Sequence, residues 1–172
     1  MIKNPWWTVV AIVVVALIGI GLQAAYCPHM PERVATHFGP SGQPDGWMSR
    51  TSAVVFQAAL QIGLPSLFVW IAWAIPRFPN SMINVPHREF WLAPERRAAT
   101  LQRMSGMLLH IALANSIFVT VIGHLVYDAN RRGGPLSMGP FVTALVVFIG
   151  FVLGIAGYSV WTLKLPRAAR GD

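Results

Sequence analysis

The sequence predicts an all-α integral membrane protein, a four-transmembrane-helix bundle with an outward-facing hairpin-like loop between helices 1 and 2, as a single domain over residues 1–172. Three observations predict it. The chain is 55% apolar and 11% charged, with mean hydropathy +0.54, whereas soluble domains carry roughly 25% charged residues. The apolar residues are grouped into uncharged runs at 6–25, 53–75, 104–127 and 135–163, each reaching the ~20 residues that cross a hydrocarbon core as a helix. Between the first two runs lies a polar segment, 31–47, with three Pro, three Gly, one His and one Asp. A segment that only joined two helices would be shorter and plainer.

Helix 1 is expected over about 6–26. Trp6 and Trp7 follow Lys3 and Pro5, an aromatic belt at a membrane face. The run reads as a retained anchor: its apolar core exceeds the ~7–15 residues of a signal peptide. Gln23 stands where cleavage after Ala25 needs a small residue, and bulky Tyr26 argues against lipidation at Cys27. This lone cysteine has neither a disulfide partner nor metal-type spacing. Proline ends the helix near Tyr26-Cys27-Pro28.

In the signature loop, 28–51, Val34, Thr36 and Phe38 alternate with Arg33, Ala35 and His37, a short strand pattern. Gly39-Pro40-Ser41-Gly42 and Pro44-Asp45-Gly46 are turn sequences. The reading is a compact flap on the helix ends, with Trp47 and Met48 at the interface and Ser49, Thr51 or Ser52 capping helix 2, about 52–75. Pro94-Glu95 marks the start of helix 3, about 94–127, outside the membrane. Gly133-Gly134-Pro135 breaks the chain before helix 4, about 136–163, which ends at Lys164-Leu165-Pro166.

The net charge of +7 is distributed by loop. Lys3, Arg77, Arg88, Arg96, Arg97, Arg103, Lys164, Arg167 and Arg170 fall on one side of an alternating bundle; Arg33, Arg50, Arg131 and Arg132 fall on the other. The positive-inside rule then places both termini and the middle loop in the cytoplasm and the 31–47 loop outside. The basic charge thus reflects topology, and the expected partner is the lipid bilayer rather than nucleic acid.

Polar residues inside the runs turn toward a bundle interior or a wet cavity. Here they are Gln23, Gln57, Gln61, His110, Asn115, Thr120, His124 and Thr143. Gln57 and Gln61 share a helix face. His110 and His124 lie roughly 40° from alignment, and Asp128 continues that stripe. A polar pocket opening outward beneath the flap is one reading. Interhelical hydrogen bonds worth about 0.6 kcal/mol each are the other. The ligand-binding candidates are therefore His37, Asp45, Trp47, Gln57, Gln61, His124 and Asp128, with His37 and Asp45 alternatively fixing the flap through loop amides. Trp91, Glu95, Arg96 and Arg97 are candidates for contact with a cytoplasmic regulator or a membrane-protein partner. His37, His124 and Asp128, with His29 or Asp45, have metal-ligand chemistry but no supporting local spacing, so no metal or cofactor is expected. No G-x-S-x-G, H-E-x-x-H or intramembrane carboxylate pair occurs, and the expectation is a protein that is not an enzyme.

The run Met30-Pro31-Glu-Arg-Val-Ala-Thr-His37-Phe-Gly39-Pro-Ser-Gly42-Gln-Pro-Asp45-Gly46-Trp47 resembles the signature of a bacterial membrane domain of unknown function that also occurs in the N-terminal part of SdpI-type proteins. Asn84-Val-Pro86, with Trp91-Leu-Ala-Pro94-Glu95-Arg96-Arg97, is similar to a stretch that commonly follows that domain. The resemblance implies a bacterial inner-membrane location and an outward signature loop, with His37, Gly42, Asp45 and Trp47 as pattern residues. It also implies a role in immunity to a secreted toxin, or in signalling by sequestering a repressor. The leading expectation is binding of an extracytoplasmic peptide, lipid or toxin through the loop. An accessory subunit of a larger membrane complex is the alternative, and a metal-dependent membrane enzyme a weaker one.

Overall fold

The computed structural model describes residues 6–164, so the expectations resting on Lys3, Pro5, Pro166, Arg167 and Arg170 lie outside the described residues. In chain order the elements are α1 (Trp6–Tyr26), β1 (Arg33–Phe38), β2 (Pro44–Ser49), α2 (Arg50–Ala74), α3 (Arg88–Trp91), α4 (Pro94–Arg132) and α5 (Met138–Thr162). Four of these helices, α1, α2, α4 and α5, are long and apolar enough to cross a membrane. The fold is mostly helical rather than all-α, because β1 and β2 pair as an antiparallel hairpin.

Local chemistry sets the boundaries. Pro28 turns the end of α1 into a single 3-10 turn, Cys27–His29. Ser49 accepts from the Ser52 amide at 3.1 Å and caps α2, which starts at Arg50. Pro94 occupies the first turn of α4, where its missing N–H costs nothing. Gly133 ends α4 in the left-handed region at φ 61°, beyond the expected Tyr127.

α4 is the spine. Its 39 residues span about 58 Å at 1.5 Å per residue, nearly twice the ~30 Å hydrocarbon thickness. α1, α2 and α5 all pack on it, and α1 also packs on α2. Three apolar clusters follow its length. One gathers Leu101 with Ile83, Val85, Leu92 and Leu163; the next joins Leu109 and Ala112 to Ile12 and Ala72; the third joins Tyr127 to Met30, Val34 and Ala53. α5 is the outlying helix, with Ser159 its one buried residue.

The segment between α2 and α4 folds over one end of the bundle. Arg97 donates to Asn80 Oδ1 at 2.8 Å and to the Phe78 carbonyl at 2.7 Å. Arg96 donates to the Phe90 carbonyl at 2.7 Å and lies 4.0 Å over its ring. Trp91 Nε1 donates to the Leu163 carbonyl at 2.6 Å, fastening the end of α5. Of the residues nominated for an external partner, Trp91, Arg96 and Arg97 thus make internal contacts, while Glu95 is exposed. Charge-assisted bonds from Arg to several carbonyls order this segment.

Candidate recognition face at the hairpin end

The hairpin is irregular, and the irregularity defines its surface. Arg33, Val34 and Ala35 face Ser49, Met48 and Trp47, but the register shifts between Ala35 and His37 and again between His37 and Phe38. A shift of this kind re-aims the side chains that follow it, and His37 comes beside Asp45 across the pair. Val34 and Ala35, in the regular register before the shift, are both buried: Val34 packs among Met30, Ala53 and Tyr127, and Asn130 bonds the backbone of Ala35.

Three contacts dock the hairpin on the α4–α5 end. Asn130 of α4 behaves as a piece of strand: its Oδ1 accepts from the Ala35 amide at 2.7 Å, and its Nδ2 donates to the Ala35 carbonyl at 2.9 Å. The Leu136 amide donates to the Gly42 carbonyl at 2.8 Å. Gly42 has φ 80°, and a Cβ there would lie 2.7 Å from the Leu136 carbonyl oxygen, so only glycine fits. Below, Val34 packs among Met30, Ala53 and Tyr127.

On this platform the exposed side chains are held in place. His37 Nδ1 and the Asp45 carboxylate form a hydrogen-bonded pair whose side chains are 75% and 53% exposed. Their partners are therefore each other, not the loop amides. Trp47 is exposed, with the Arg33 guanidinium 5.2 Å from its ring centroid. One small surface thus carries a polar His–Asp pair on one stretch and a cation stacked on an aromatic plane on another.

The remaining candidates lie apart from it. Gln61 is 1% exposed and donates from Nε2 to Ser116 Oγ at 3.0 Å; Gln57 Nε2 donates to the Val119 carbonyl at 2.9 Å. Both glutamines pack in the α2–α4 seam, alongside buried Gln23. The seam is tight: a Cβ at Gly19 would lie 2.8 Å from Gln61 Cδ, and one at Gly123 would lie 2.6 Å from the Nε2 atoms of both Gln23 and Gln57. The geometry is that of interhelical bonding, not of amides lining an open pocket. His124 is exposed and meets the Tyr26 hydroxyl at 2.8 Å, and Tyr26 stacks on Tyr127 at 3.8 Å. Asp128 pairs with Arg132 one turn away at 2.8 Å. His110 turns back to the Gly106 carbonyl of its own helix. Among the described residues no three His, Cys, Asp or Glu side chains gather as a metal site.

Asn130 and Leu136 are the residues that sequence reasoning missed as determinants of this face, whereas Gly42 is legible as a turn glycine of the signature. Asn130 and Leu136 carry no such signal, since their partners lie far away in the chain.

The fold and this face together define a class: a mostly helical protein with four helices long and apolar enough to cross a membrane, and a structured hairpin between the first two of them. Residues 6–62 match the family described as a domain of unknown function, DUF1648. The match covers α1, the hairpin and the first half of α2, about a third of the chain; α4, the 76–93 segment and α5 lie beyond it. No curated protein and no solved structure matches significantly.

Proposed function

We propose that the protein is a non-enzymatic receptor of the bacterial inner membrane, with both termini and the 76–93 segment cytoplasmic and the hairpin outside. The hairpin face binds an extracytoplasmic peptide or toxin, in the immunity or signalling role implied by the resemblance to SdpI-type proteins. The observation that carries this reading is the exposure of His37, Asp45, Trp47 and Arg33 on a hairpin clamped by Asn130 and Leu136. A rigid platform lowers the entropy lost when its side chains engage a partner, and Trp and Arg are the residue types that dominate protein recognition.

The test is in-cell photocrosslinking from a benzoylphenylalanine replacing Trp47. The expected result is an adduct of peptide size that disappears on His37→Ala or Asp45→Asn while membrane insertion is retained. An inserted protein that gives no adduct, or one indifferent to both substitutions, overturns the reading.

The alternative, an accessory subunit of a larger complex, is favoured by one observation. α5 buries only Ser159 and leaves Val146, Val147, Phe151, Leu153 and Trp161 exposed along its length. A partner helix would cover that face. Native mass measurement after mild detergent extraction separates the two readings, a lone monomer removing the subunit role.

A further inference from the structure

We propose that the groove between α1 and α2 is a binding site for an anionic phospholipid, with one acyl chain in the groove and the phosphate at Arg77. The proposal rests on the reading that these helices span a bilayer. The open groove offers about 400 Å³ and is lined by Val9, Val13, Val69, Trp70 and Trp73, with buried Ile12 and the single hydroxyl of Ser66. Val13, Trp70 and Trp73 are exposed, so the groove opens sideways, toward hydrocarbon, and a chain enters from the bilayer without crossing water.

Arg77 gives the groove a charged end. Its guanidinium lies 3.8 Å over the Trp73 ring centroid and donates through one nitrogen to the Trp73 carbonyl at 2.5 Å. A guanidinium carries five N–H donors, which leaves several for an anion. Among the described residues the ion pairs are His37–Asp45 and Asp128–Arg132, so none of the described carboxylates is paired with Arg77. Arg97 binds the carbonyls of Pro76 and Phe78, on either side of Arg77, and adds a second positive charge. An apolar slot ending in a cation held on an indole matches the two chemical halves of an anionic phospholipid. A free phosphate would use only the cation, so the groove commits the site to lipid.

Native mass spectrometry of the delipidated full chain, with equimolar phosphatidylglycerol and phosphatidylcholine, tests the site. Phosphatidylglycerol should be retained about fivefold over phosphatidylcholine, the equivalent of about 1 kcal/mol for one arginine near phosphate. Arg77→Gln should bring the two lipids to parity, Arg77→Lys should keep the preference, and Val13→Trp, which fills the groove, should lower retention of both. Parity in the parent protein, an unchanged preference in Arg77→Gln, an equal loss in Arg103→Gln, or displacement by inorganic phosphate overturns the proposal. Alkaline carbonate washing separates the two layers of the argument: a protein released from membranes defeats the spanning reading and this site with it. A protein that stays embedded but shows parity defeats the lipid site alone.

Discussion

Gly123→Leu is expected to destabilise the bundle by about 1–3 kcal/mol, the usual cost of forcing added bulk into a packed core. The first added carbon already falls 2.6 Å from the amide nitrogens of Gln23 and Gln57. An alanine displaces only those flexible tips, whereas a leucine must separate α1 and α2 from α4 and pull Gln57 off the Val119 carbonyl. Gln57 is half-buried, so its amide keeps part of its desolvation cost when it loses that acceptor. Gly106, on the same helix, has nothing within 4 Å of the corresponding position, so Gly106→Leu should stay within about 0.5 kcal/mol. Denaturant titration of both variants in the same micelles makes the comparison. Equal effects would mean that the seam is not tightly packed around its glutamines.

Asn130→Ala should release the hairpin while leaving the bundle folded. Both hydrogen bonds to Ala35 come from this one side chain, and Ala35 is buried, so its amide and carbonyl lose their partners together. Two neutral hydrogen bonds at about 1 kcal/mol each correspond to roughly thirtyfold faster amide exchange at Ala35. Hydrogen-exchange mass spectrometry should show the acceleration across 33–49 and not in the middle of α4. An unchanged rate in the hairpin would assign its docking to Val34 and the Leu136–Gly42 bond alone.

The two residues also mark how far the sequence was legible. The four long apolar helices follow from run length, since about 20 apolar residues leave a chain few other choices. Gln57 and Gln61 can be placed on one face from their spacing, but not directed to Val119 and Ser116 respectively, because a helical period carries no information about the neighbouring helix. The alternating pattern at 33–38 indicates a strand, yet it carries no sign of the Asn130 contact at buried Ala35 or of the shift after Ala35 beyond which His37 meets Asp45. The internal bonds of Arg96, Arg97 and Trp91 are not legible in the sequence, because charge and aromaticity are the same in a loop that binds outward and in one that binds itself. Their carbonyl acceptors at Phe78, Phe90 and Leu163 are visible only once the chain is folded.

One consequence of the long α4 concerns phase. Leu101 fixes the 76–93 segment at one end of this helix and Asn130 fixes the hairpin near the other, with no break in the helix between them. The two assemblies therefore keep a fixed rotational offset as well as a fixed distance. Adding a single residue to the middle of α4 would turn one end against the other by about 100° and lengthen the rod by about 1.5 Å. Asn130 would then face away from Ala35 while every apolar run stayed at least as long as before. The spacing between Leu101 and Asn130 is thus as much a part of the hairpin's address as the residues it docks on.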